Sequence, residues 1–225
     1  MDRRTYLQSV AATGAVAVTA GCLGDGGAEG TVLGPPERDL SAASHPSYGD
    51  EMPEFSVPDP ISGETVSSTG LEGERSYLWT SFYTSCPDGV CPALILRLRR
   101  AQEVAATEGY GDDAAFLAQT FDPERDTEGV LREYAGQQGV DLDAGNWHFL
   151  RPESYEVGKQ LLDEQFGLAI EKVPADDYEN LDYQFPHYGL ILLVNDRGIV
   201  ERAYPNGPTV DIETVERDFE TVVTA

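Results

Sequence analysis

Lysine is nearly missing from this chain: Lys159 and Lys172 are the only two in 225 residues. Lysine and arginine together number 15 against 40 aspartates and glutamates, a formal net charge of -25. Such a surface repels phosphate instead of releasing counterions from it, which excludes electrostatic binding to nucleic acid or to anionic lipid. Cysteine and histidine are scarce at three each, so any redox or metal chemistry falls on very few side chains. Long apolar runs are lacking too. The best candidate, residues 10–20, is shorter than the roughly 20 residues needed to cross a bilayer core. What remains is ordinary for a globular protein: 40% of the chain is hydrophobic, enough to bury a core. Excess carboxylate with almost no lysine reads as a salt-adapted, halophilic surface, soluble where high ionic strength screens its self-repulsion.

The first 21 residues read as an export address. Arg3 and Arg4 precede Tyr6 and Leu7, and an apolar stretch of small residues leads to Thr19-Ala20-Gly21-Cys22. The arginine pair resembles a twin-arginine signal, and the small residues before Cys22 resemble a lipoprotein cleavage box that leaves Cys22 as the lipidated first residue. The expected location is the outer face of the cytoplasmic membrane, held there by the lipid anchor. Residues 22–53, rich in Gly, Pro, Ser, Asp and Glu, are expected to be a flexible acidic tether, because few large apolar side chains are present to offset ordering entropy.

From residue 54 to 225 the pattern is that of one α/β domain. Phe55, Val57, Ile61 and Val66 around Gly63 suggest an opening hairpin. Strands are expected over 76–83, 114–120 and 147–150, alternating with helices over 92–107, 127–137 and 154–166, which implies parallel pairing. The end differs: residues 190–194 and 199–204 flank Asp196-Arg197-Gly198 as an antiparallel hairpin, and a helix over 210–222 closes the chain. A central mixed sheet flanked by helices, parallel strands completed by a hairpin and a helix, is a thioredoxin-like architecture.

Cys86 and Cys91 sit in TSCPDGVCP between the first long strand and the first long helix. A helix N-terminus favours thiolate over thiol, and the thiolate is both nucleophile and soft-metal ligand. Structural disulfide, redox dithiol and soft-metal site are therefore all open, although a bridge across so short a loop removes little unfolded-state entropy. His187 lies just before the strand at 190–194, and the fold brings its loop to the same sheet end as the cysteines. Taken on position alone it reads more simply as a surface histidine. His45 in the tether and His148 beside Trp147 have no cysteine nearby in sequence.

TSFYTSCPDGVCP, then QTFDPERDT at 119–127, then a late histidine before an apolar strand together resemble the Sco/SenC family of copper-binding, thioredoxin-fold proteins. The resemblance spans about residues 54–223. It implies copper, Cu(I) or Cu(II), held by Cys86, Cys91 and His187. It also implies delivery to the binuclear copper A subunit of cytochrome c oxidase, or reduction of that site's thiols. One departure stands out: the family spaces its cysteines CxxxC, and here they are CxxxxC. Gly89 looks like the extra residue, and a left-handed bulge there returns both sulfurs to one side. Asp122 is a candidate outer partner that orients His187 or tunes the thiols, whereas Asp126 reads as a turn residue, with Asp126 or Thr127 as the cap of the next helix. The alternative function is a thiol-disulfide oxidoreductase acting on exported thiol proteins, Cys86 attacking and Cys91 resolving, without a metal. A peroxidase of related fold ranks below both, since no isolated cysteine has a basic partner.

Overall fold

The computed structural model describes residues 27–186 and 188–225. At its centre lies a five-stranded sheet in which almost every residue is buried: β3 (Ser76–Phe82), β4 (Ala114–Thr120), β5 (Trp147–Leu150), β8 (Ile191–Val194) and β9 (Val200–Tyr204). The order is β5-β4-β3-β8-β9, with β3, β4 and β5 parallel and β8 and β9 antiparallel. Strands covered on both faces carry continuous apolar runs instead of alternation, which is why SYLWTSF and AAFLAQT read so clearly in the sequence. The mixed sheet and flanking helices match the expected thioredoxin-like class.

Two helical layers cover the sheet. On one face α2 (Val90–Glu108) packs against α5 (Ile212–Val223), and Phe219 of α5 meets Phe116 with ring centroids 5.3 Å apart. Tyr134 of α3 (Glu128–Gln138) stacks on Phe82 of the same face. On the other face Phe166, just past α4 (Tyr155–Glu164), stacks on Trp79 at 4.4 Å. Phe166 also meets Phe55, which leads into the predicted opening hairpin, β1 (Ser56–Pro58) paired antiparallel with β2 (Thr65–Ser67). A single turn, α1 (Ser68–Leu71), follows it. The closing hairpin turns at Gly198, whose φ of 74° is the left-handed backbone that such a turn requires.

Two features differ from expectation. A two-residue pair, β6 (Val173–Pro174) with β7 (Tyr183–Gln184), was not visible in the sequence, since strands so short carry no periodicity. More importantly, the described part of the expected tether is not loose. Gly49 N–H donates to the Val200 carbonyl and Val200 N–H to Asp50, both at 2.9 Å, and Met52 N–H reaches Gly198 at 2.7 Å. Glu51 bridges Ile199. Farther out, the Val32 and Leu33 amides donate to the buried Glu201 carboxylate at 2.7 and 2.9 Å. Composition weighs apolar side chains; this strap docks through backbone groups, which an otherwise open edge strand at β9 leaves in need of partners. The arginine pair Arg3-Arg4 and the expected lipidation site Cys22 lie outside the described residues.

Candidate metal centre

The centre forms where β3 ends and α2 begins. Gly89 is the cap of α2 with φ 78° and ψ 1°, so the expected bulge is present at the extra residue. Its consequence is local closure: the Cys91 amide donates to Cys86 Sγ at 3.3 Å. Asp88 completes the turn, its Oδ1 accepting from the Val90 amide at 3.0 Å and from the Cys86 thiol at 2.9 Å. The six-residue spacing therefore still folds the two cysteines against each other.

The two thiols are not equivalent. Cys86 is partly exposed, whereas Cys91 is fully buried and accepts from the Tyr83 amide at 3.5 Å. The helix N-terminus was expected to lower cysteine pKa. At Cys91 the balance goes the other way, because burial pushes its thiol well above the usual range and the Cys86 sulfur beside it adds to that. The Tyr83 amide opposes the shift without reversing it. Cys86 is thus the outward group, and Cys91 the inner one that a bound metal or a disulfide must reach.

The 122–127 loop braces this centre from below. Asp122 is buried; its carboxylate pairs with Arg125 and accepts from the Tyr183 hydroxyl at 2.9 Å. Of the two expected caps, Asp126 is not the one. Thr127 caps α3, its side chain accepting from the Val130 amide. Asp126 instead turns inward, accepts from the Thr120 hydroxyl, and binds Thr84 through both amide and hydroxyl, the hydroxyl at 2.5 Å. Thr84 is two residues before Cys86, so this buried carboxylate anchors the entry to the cysteine loop. Burial raises its pKa to about 6 against those hydrogen bonds. In the sequence Asp126 and Thr127 read as interchangeable caps, which hid this role.

His187 lies outside the described residues, but its neighbours on both sides are fixed. Phe185 is buried against Tyr83 and Phe121, each at 5.2 Å. Pro208 and Val90 stand where a Cβ on Gly189 would be, and the Gly189 carbonyl accepts from the Gly207 amide at 2.7 Å. The chain therefore lies beside Tyr83, which precedes the cysteine loop, at residue 185 and beside Val90, which stands between the two cysteines, at residue 189. Of the other histidines, His45 bonds the Pro46 carbonyl and His148 the buried Asp59 carboxylate at 3.2 Å, consistent with structural roles. Among the described residues no group of three or more metal-binding side chains converges. The donors on display are the two sulfurs, a set that suits a soft ion.

Known proteins carry the same arrangement of elements. The family model SCO1/SenC matches residues 46–224. An SCO2-like protein of Rickettsia prowazekii is 27% identical over 139 residues, covering 60% of each chain. A copper-bound ScoI of Bradyrhizobium japonicum superposes with a TM-score of 0.58 at 23% identity, covering 77% of this chain and 99% of its own. BsSco, described as a member of the Sco family of cytochrome c oxidase assembly proteins with a disulfide switch, also gives 0.58 at 23% identity, covering 77% and 94%. The structural likenesses carry the fold, and the match over residues 46–224 carries the family: the chain belongs to SCO1/SenC.

Proposed function

We propose that this protein is a membrane-anchored copper chaperone that loads copper on Cys86, Cys91 and His187 and serves the copper A site of cytochrome c oxidase, by delivering the ion or by reducing that site's thiols. The observation that carries the reading is the folding of Cys86 against Cys91 behind the Gly89 bulge, with the inner amide 3.3 Å from the outer sulfur. Copper bound to the related ScoI and the oxidase-assembly role described for the Sco family support it. Both thiols give up protons when they bind a metal. Copper here is cargo: the outer Cys86 meets the incoming ion, the buried Cys91 closes on it, and an imidazole completes a set suited to Cu(II) as well as Cu(I). Lipidation at Cys22 would hold the domain at the outer membrane face.

A second reading has one observation in its favour. An exposed Cys86 over a buried Cys91 is also the arrangement of an attacking and a resolving thiol, as a thiol-disulfide oxidoreductase needs. Titrating the reduced full chain with Cu(I) and Cu(II) at high salt separates the two. The chaperone gives one copper per chain and a visible thiolate-to-Cu(II) band, both lost in Cys86→Ala and Cys91→Ala; His187→Ala loses the Cu(II) band while keeping dithiol reduction. No copper uptake, with disulfide exchange active, makes the oxidoreductase the function.

A further inference from the structure

One tyrosine ties the 122–127 loop to the chain that enters residue 187. The Arg125 guanidinium lies 3.8 Å and the Lys172 ammonium 4.1 Å from the centre of the Tyr183 ring. The hydroxyl of that ring donates to Asp122 at 2.9 Å. Arg125 makes a further bond to the Tyr183 carbonyl at 3.1 Å, so it holds backbone, ring and, through Asp122, hydroxyl together. Lys172, one of only two lysines, is itself fixed by Glu124 at 2.7 Å. A ring placed by two cations and a carboxylate has little freedom, and cation–π contacts are directional enough to set its plane. Two residues on, Phe185 fills a cage of Tyr83, Phe121, Tyr155 and Tyr183. Tyr83 closes the path, because its amide bonds Cys91 Sγ.

We propose that Arg125 is a positioning residue for the metal site: it locks Tyr183 and Phe185 onto Tyr83, and so fixes where the chain enters residue 187 relative to the two cysteines. Asp122 acts through Arg125 and Tyr183. The proposal rests on the copper reading above and deepens it. It separates the two copper states, since Cu(I) can be held by the two thiolates alone while Cu(II) draws on the imidazole.

The test uses the full chain and the variants Tyr183→Leu, Tyr183→Phe and Arg125→Met. Release of Cu(II) to a chelator is followed at the thiolate-to-copper band, Cu(I) affinity is measured by competition, and amide exchange over residues 183–188 is measured without metal. Partners behind a ligand typically change metal affinity by about 10- to 100-fold, so Tyr183→Leu and Arg125→Met should release Cu(II) faster by about that factor with Cu(I) affinity unchanged. Amide exchange should accelerate in both. Tyr183→Phe keeps the ring between its cations and loses only the hydroxyl bond to Asp122, so it should fall between the wild type and Tyr183→Leu. Should Arg125→Met fail to fold because it strands the buried Asp122, Tyr183→Leu decides. Unchanged Cu(II) release or unchanged exchange in Tyr183→Leu overturns the proposal alone, as does parallel loss of Cu(I) and Cu(II). A wild-type chain that takes up no copper overturns the copper reading and the proposal with it.

Discussion

Asp126 is the residue at which burial and hydrogen bonding oppose each other most directly. Three donors favour its carboxylate, yet desolvation wins and the pKa rises from 3.8 to about 6. A carboxyl whose pKa is higher folded than unfolded contributes stability below its unfolded value, and that contribution is lost as pH rises through the folded value. The loss is about 3 kcal/mol between pH 4 and pH 7, from roughly two pKa units at 1.36 kcal/mol each. Because other carboxylates titrate in the same window, the quantity to measure is the difference in urea stability between wild type and Asp126→Asn across that range. It should shift by that amount in favour of the variant as pH rises; a constant difference would show that Asp126 ionises at its ordinary pKa. Gly89 poses a simpler case. A Cβ there meets nothing within 4 Å, so Gly89→Ala pays only for its left-handed backbone, about 1–2 kcal/mol. The variant should lose that much stability by urea titration, and a silent substitution would mean the loop has another way to close. Both residues stand in the sequence, yet only one was legible. Glycine's permissiveness is intrinsic to its chemistry, whereas Asp126 and Cys91 owe their behaviour to burial, which depends on neighbours distant in the chain.

Among the elements, the legible ones were those whose burial is written locally. β4 and β5 fall on residues 114–120 and 147–150, as expected, because both are unbroken runs between polar turns. α2 starts two residues earlier than the pattern suggested, at Val90, since its cap is the Gly89 bulge and not Pro92. The strap along β9 was illegible for a different reason. It sets Met52, Val32 and Leu33 against the core and gains the rest of its place by pairing backbone groups with an edge strand and two amides with Glu201. Compared with a chain that lacks residues 1–26, one that lacks residues 1–53 exposes β9 and leaves Glu201 short of two donors. At about 1–3 kcal/mol for an unsatisfied buried group, the longer truncation should melt several degrees lower and self-associate. Equal midpoints for the two would return residues 27–53 to the role of a tether.

The whole molecule carries 40 acidic residues and 15 basic ones, so carboxylates outnumber lysine and arginine by 25. Among the described residues several basic side chains are already engaged: Arg99 and Arg100 share Glu103, Arg132 holds Glu128, and Lys172 holds Glu124. Exposed pairs of this kind are worth little individually, ~0–1 kcal/mol, and they cannot offset repulsion summed over the remaining carboxylates. The repulsion is long-ranged at low salt and short-ranged at high salt, because the Debye length falls from about 10 Å at 0.1 M to about 3 Å at 1 M. Folding should therefore be strongly salt-dependent even though the aliphatic and aromatic packing of the core is indifferent to ions. Potassium chloride raised from about 0.1 to about 1 M should lift the thermal midpoint by roughly 5–10 °C, which for a chain of this size is ~2–4 kcal/mol. Most of the rise should come below about 0.5 M, where the Debye length changes fastest, and potassium and sodium chloride should act alike, since screening depends on ionic strength and not on the ion. A flat response would mean that the carboxylates are held far enough apart by the fold for their repulsion not to matter, and the salt-adapted reading of the composition would fall. A response that continues to climb steeply in molar salt and differs between chloride and sulfate would instead assign the stabilisation to exclusion of the ion from apolar surface, leaving the charge excess a matter of solubility alone.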